Sequence, residues 1–167
     1  FLKSNWLRHK ANAFYTLWLF KPGFEFLAED KQDKQIQKDS LLTGSLKYFE
    51  YSPYLELIEY YGFKIITKYS LRDDYLPLNG LMLKESKSKT YSLEMNYSGL
   101  KEVSTNLVLT FRNKKYDGLF RTKGLLDNET ILIRSRTKFV FWERLLNGDL
   151  YYEVSTQKSA KLQKVFV

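Results

Sequence analysis

The stretch ILIRSRTKFVFWERLLNGDLYYEVST, Ile131 to Thr156, decides the fold class of this chain. Ile131, Ile133, Ser135, Thr137, Phe139 and Phe141 share one parity, and Leu132, Arg134, Arg136, Lys138, Val140 and Trp142 share the other. A period of two marks a strand, because successive side chains leave opposite faces. A second alternating run, Leu150 to Thr156, follows the turn-forming residues Asn147-Gly148-Asp149, so the stretch predicts two long antiparallel strands joined there. A long ribbon of this kind belongs to a small barrel or a sandwich.

Working outward, the period stays at two from Leu46 onward. The predicted strands are Leu46–Ser52, Tyr54–Tyr61, Phe63–Ser70, Leu78–Glu85, Tyr91–Tyr97, Val103–Phe111, Tyr116–Arg121, Thr130–Trp142, Leu150–Thr156 and Lys161–Val167. Turn chemistry separates most of them, notably at Tyr61-Gly62, Arg72-Asp73-Asp74, Ser86 to Lys89, Ser98-Gly99 and Asp127-Asn128. Short sequential links imply an up-and-down meander over residues 46–167. A meander of about eight to ten strands without crossover helices is expected to close, since a wide open sheet leaves long unpaired edges. The expectation is an all-β antiparallel up-and-down barrel.

Ahead of the meander, Leu2, Trp6, His9, Ala13, Phe14 and Leu17 recur at helical spacing, with Ser4 or Asn5 placed to cap and Pro22-Gly23 to terminate. Residues 1–21 are therefore expected to form an amphipathic helix that plugs or covers the barrel. Residues 28–40, AEDKQDKQIQKDS, carry both charge signs and read as a charged loop. Nothing before them is long enough for a domain, so the 167 residues are read as one.

Composition narrows the chemistry. With 13 Tyr, 12 Phe and a 44% hydrophobic fraction the chain is no disordered segment. The absence of cysteine excludes disulfides, thiolate metal sites and a cysteine nucleophile, and a single histidine, His9, removes multi-histidine zinc sites; no metal is expected. The net charge of +8 points to anionic partners: a carboxylate ligand, an acidic protein, nucleic acid or a membrane surface. No run of roughly 18 apolar residues occurs, so no transmembrane segment is expected. The lack of cysteine fits a reducing compartment such as cytoplasm or plastid and the chain reads as soluble, while the location itself stays open.

Four groups of residues bear on function. Arg134 and Arg136, joined by Arg112 and Arg121 from preceding strands, would clamp a carboxylate if they faced a cavity; alternation equally allows them to face water. Tyr91, Tyr97, Trp142 and Tyr152 could line a cavity for a conjugated or amphipathic ligand, or form ordinary core. Glu94, Glu143 and Glu153 lie in predicted strands, but no spacing pairs them for acid/base work. The basic run Arg112, Lys114, Lys115, Arg121 and Lys123, interleaved with Phe111, Tyr116 and Phe120, could hold phosphates and stack bases.

The segment from Trp142 to Val167, an arginine, a Gly-Asp turn, an L-x-Y strand and a return strand, resembles the closing strands of calycin barrels, the lipocalins and fatty-acid-binding proteins. FLKSNWLRHK at the start and ERLL at Glu143 to Leu146 are similar to segments of the S-type phycobiliprotein lyases, lipocalin-like barrels that deliver a linear tetrapyrrole. The resemblance implies a carrier, not an enzyme, for a hydrophobic or amphipathic anionic small molecule, a fatty acid or a bilin, held in the barrel cavity. The alternatives are a chromophore lyase and a basic module that docks on an anionic protein or nucleic acid.

Overall fold

The computed structural model describes residues 2–37, 40–78, 81–141 and 146–159. Eight strands, β1 (Leu2–Phe14), β2 (Phe20–Gln37), β3 (Ser40–Tyr60), β4 (Phe63–Leu78), β5 (Leu81–Tyr97), β6 (Val103–Tyr116), β7 (Asn128–Phe141) and β8 (Leu146–Ser159), form one sheet in sequence order. Every neighbouring pair is antiparallel. The only helix among the described residues is the single turn α1 (Gly118–Arg121) between β6 and β7. Asp117 caps it, and Asp127 closes the loop by accepting from the Tyr116 backbone N–H at 2.8 Å and pairing with Arg121.

The all-β, up-and-down expectation holds, and three finer expectations do not. First, the sheet is open: among the described residues β1 pairs only with β2 and β8 only with β7, so two edges are left free. Second, the described residues 2–21 contain no helix. Leu2–Phe14 is a strand whose whole length ladders with β2, from Leu2↔Gln35 to Phe14↔Gly23. A long partner strand supplies more backbone bonds than a short helix whose stripe has nothing to cover, and Trp6 is 61% exposed. Third, most of the charged segment 28–40 is strand, because β2 continues to Gln37. Its opposite charges suit a ladder, with Asp30 facing Lys47 across the β2–β3 pair.

Several predicted turns are strand interior. Arg72-Asp73-Asp74 lies inside β4 and Ser86 to Lys89 inside β5, each in full register with its neighbour. Leu46–Ser52 and Tyr54–Tyr61 merge into β3; Pro53, which has no N–H, sits where the β3–β4 ladder skips from Tyr51 to Tyr54. Tyr116–Arg121 is the end of β6 and α1, not a strand. Asn147-Gly148-Asp149 belongs to β8, with Gly148 opposite Phe139. A Cβ on Gly148 would sit 2.2 Å from the Phe139 ring, so the glycine is there to let that ring lie across the backbone. The predicted strand Lys161–Val167 and the residues Trp142 and Glu143 lie outside the described residues.

Very little is buried. Among the described residues the hydrophobic side chains shielded from solvent are Tyr48 and Phe120. The accessible surface is 12674 Å², against about 8,700 Å² expected for a compact monomer of this mass. The sheet is one layer with its apolar side chains uncovered.

Candidate functional site

Residues opposite each other in an antiparallel ladder share a face, so the registers assign the residues named below to one face or the other. One face carries Phe20, Phe24 and Phe26 of β2, Phe49, Tyr51, Leu55 and Leu57 of β3, Phe63, Ile65, Tyr69 and Leu71 of β4 and Tyr91, Leu93, Met95 and Tyr97 of β5. It continues through Val103, Leu107, Leu109 and Phe111 of β6, Ile131, Ile133, Phe139 and Phe141 of β7 and Leu146, Leu150, Tyr152 and Val154 of β8. Small hydroxyl residues are the main interruption, and two of these, Thr105 and Thr137, bond each other at 3.2 Å. This is the exposed face: Tyr91 is 52% and Leu150 65% accessible.

The apolar positions form a band of nearly constant height. It begins at Ala28 on β2 and Phe49 on β3, then one alternate position lower at Leu71 on β4. It begins one lower again at Tyr91, Phe111 and Ile131, and one lower still at Val154 on β8. The opposite limit drifts alike, from Phe20 and Leu57 through Phe63, Tyr97 and Val103 to Phe141 and Leu146. Three alternate positions, about 20 Å, accrue over six strand spacings of about 4.8 Å, so the band runs at about 35° to the perpendicular of the strands. Spans of about nine residues tilted by that angle give a height of about 25 Å. Above the band the same parity turns charged, at Asp30, Lys47, Asp73, Lys89, Glu129 and Lys158.

Aromatic rings concentrate toward the two margins. Phe63–Tyr97 at 4.6 Å and Phe139–Phe141 at 5.7 Å lie along one, and Phe26–Tyr51 at 5.3 Å, Tyr69–Tyr91 at 4.7 Å and Tyr91–Phe111 at 6.4 Å along the other. Leu93, Leu107, Leu109 and Ile133 lie between.

The opposite face is polar and crowded. Its small residues are the best-buried among the described ones: Ser86 and Ser88 are 1% accessible and Asp74 2%. Arg72 donates from Nε to Asp74 Oδ1 at 2.7 Å and lies over the Tyr48 ring at 3.7 Å. Ser86 donates to Asp74 Oδ2 at 3.1 Å, and the Lys114 Nζ stands 3.8 Å from the same oxygen. Ser52 and Ser70 bond at 2.7 Å. Tyr48 donates to Glu29 at 2.9 Å; burial first, then this carboxylate, pushes its phenol above the usual range. Further along, Lys68 meets Glu25 at 2.6 Å, Lys64 meets Glu56 at 2.9 Å, and Asn106 bonds Asn96 at 2.6 Å. Asp74→Ala is expected to cost about 2 kcal/mol, because it strips a charged partner from Arg72 and Lys114 in a covered site. Asp149→Ala, which breaks an exposed pair, should shift the midpoint of a urea unfolding titration much less than Asp74→Ala does.

The residues singled out from sequence divide between the two faces. Tyr91, Tyr97 and Tyr152 stand on the apolar face, Arg112, Arg134 and Arg136 on the polar one, and Arg121 in α1. Arg134 donates from Nε to Glu153 at 2.9 Å, and Arg136 engages Asp149 through Nε at 2.9 and 3.0 Å and through Nη2. Arg112 donates to Ser88 at 3.3 Å. The cluster of Tyr48, Arg72, Asp74, Ser86, Ser88 and Lys114 is one that sequence reasoning misses. Its signal is the alternation Ser70-x-Arg72-x-Asp74 followed by Ser86-x-Ser88, which mimics turn chemistry.

Comparison with models of known protein families, with curated proteins and with solved structures finds no match to this chain. No helix among the described residues is long and apolar enough to cross a membrane.

Proposed function

We propose that this sheet is a section of the wall of a membrane-spanning β-barrel, its apolar face against acyl chains and its polar face lining the interior. One observation carries the reading: an uncovered apolar band about 25 Å high, aromatic at its margins, crosses the strands obliquely from β2 to β8. A transmembrane strand needs about 9–11 residues inclined to the membrane normal, and lipid-facing bands of such barrels are about 25 Å tall between aromatic girdles. The polarity is inverted relative to a water-soluble β protein, whose alternating apolar parity is the covered one. Here serines and an aspartate on the polar face are covered, while Phe24, Tyr51, Leu55, Tyr91, Phe111 and Leu150 on the apolar face are exposed. The lack of an apolar helix bears on helices alone, since barrel strands cross with a period of two. In hydrocarbon every backbone N–H and C=O must be paired, so the free edges of β1 and β8 would join each other or further strands.

A carrier would put the same apolar face inside, around a ligand. Its support is the open depression of about 390 Å³ between Tyr91, Leu93, Leu109, Phe111, Ile131 and Ile133. Against the carboxylate clamp, Arg134 and Arg136 already hold Glu153 and Asp149.

Because the chain has no cysteine, single cysteines can be placed at each position from 131 to 136 and spin-labelled in phosphatidylcholine vesicles. Labels at positions 131, 133 and 135 should collide with oxygen, which concentrates in lipid, and those at 132, 134 and 136 with a water-soluble nickel chelate. Chelate access at all six positions would overturn the proposal. So would labels at 131 and 133 that are shielded from both reagents in protein free of membrane, the carrier's result.

A further inference from the structure

The apolar face is not uniformly capped above its band. Most strands continue with charges of mixed sign, but where β5 and β6 leave the band the same face carries Lys87, Lys89 and Lys115 around Asn113. These residues and the rings of Tyr91 and Phe111 line an open depression of about 420 Å³, the rings being the uppermost members of the band. Lys87 and Lys115 are directly opposed across the ladder. Like charges so placed repel, and a carboxylate is the usual remedy. None of the described residues supplies one to these three ammonium groups. Asp73, across from Lys87, is engaged by Lys84 at 2.7 Å, and Glu129, across from Asn113, accepts from that amide at 2.9 Å. Arg134, Arg136, Lys64 and Lys68 on the polar face, by contrast, all have acidic partners.

Three uncompensated ammonium groups immediately above two aromatic rings on a lipid-facing surface are complementary to one kind of ligand. Resting on the barrel-wall reading, we infer that Lys87, Lys89 and Lys115 form a binding site for the phosphate headgroup of an anionic membrane lipid, whose chains lie along Tyr91 and Phe111. The source is a lipid and not free phosphate because the floor of the depression is apolar and continuous with the band. Lysine fits such a position, since its long stem reaches from the band's margin to headgroup level and a row of compact cations near a membrane surface attracts anionic lipid.

The test uses the protein reconstituted in phosphatidylcholine with a trace of spin-labelled phosphatidylglycerol or spin-labelled phosphatidylcholine, reading the motionally restricted lipid fraction of each. The wild type should favour phosphatidylglycerol over phosphatidylcholine by about fivefold or more at low salt, the scale set by one lysine near an anionic surface. Lys87→Gln/Lys89→Gln/Lys115→Gln should bring the ratio to within about twofold of unity, reflecting loss of that same attraction. Lys10→Gln/Lys101→Gln/Lys138→Gln, which removes equal charge elsewhere, should leave it unchanged. An equal loss in this second variant, no preference in the wild type, or displacement of the labelled lipid by matching soluble glycerol phosphate would overturn the headgroup site. If no restricted lipid of either kind appears, the barrel-wall reading fails and the site with it; a restricted phosphatidylcholine fraction without preference removes the site alone.

Discussion

Ile133→Arg is expected to lower the stability of the membrane-embedded protein by about 2 kcal/mol, the cost of a guanidinium between the margin and the midplane of a barrel's lipid face. Ile133 lies within the band, one alternate position below its upper limit at Ile131, directly opposite Leu109 on β6 and Val154 on β8. It is 38% accessible, so in water an arginine there could extend from the surface and the change would fall within about 0.5 kcal/mol, as for ordinary exposed sites. The size of the effect thus reports what the face touches. Ser155→Arg, exposed on the polar face of β8 opposite Leu132, should stay within that smaller range in either environment. Urea-driven unfolding from phosphatidylcholine vesicles measures both, and equal small effects at the two positions would contradict a lipid-facing band.

The contrast between these positions explains how far the sequence can be read. The alternation from Ile131 to Phe141 identifies β7 and its two faces correctly, because period two is a local property of the chain. What each face meets is not local. In a water-soluble barrel the apolar parity of each strand turns inward, and the same parity turns outward in lipid, so a single strand reads identically in both. Only the registers bring Leu71, Tyr91, Ile131 and Val154 onto one face and reveal the oblique margin they define. The departures from expectation have related causes. Arg72-Asp73-Asp74 and Ser86 to Lys89 read as turns because polar clusters usually mark them; in the fold those residues pair across β4 and β5 on a polar face that tolerates charge, or lie above the band. Gly148 reads as a turn glycine because only the cross-strand partner Phe139 explains it. At the start of the chain Trp6, His9 and Ala13 fit a helical spacing, yet β2, more than ten residues further on, holds them in a ladder. The Tyr61-Gly62 turn, in contrast, is legible, since its geometry is fixed by two adjacent residues: both have positive φ, at 50° and 77°.

That turn carries the other large expected effect. Gly62 meets Gly99 of the neighbouring β5–β6 loop backbone to backbone, with the Ser98 N–H donating to the Gly62 carbonyl at 2.8 Å. A Cβ on Gly62 would lie 2.2 Å from the Gly99 Cα and 2.3 Å from its nitrogen. Neither is the movable end of a side chain, so Gly62→Ala must displace one turn from the other and break the hydrogen bond between them. The left-handed φ adds its own penalty for any residue with a side chain. Together the strain and the overpacking should cost about 3–4 kcal/mol. Gly124 separates the two terms: its φ is 89° and nothing lies within 4 Å of a Cβ placed there, so Gly124→Ala should show the conformational part alone, about 1 kcal/mol. Urea titration of the two variants beside the wild type gives the difference directly. A Gly62→Ala loss no larger than that of Gly124→Ala would mean that the β3–β4 turn and the β5–β6 loop do not touch. The end of the sheet where Phe63 and Tyr97 set the band's margin would then have to be held by the strand ladders alone.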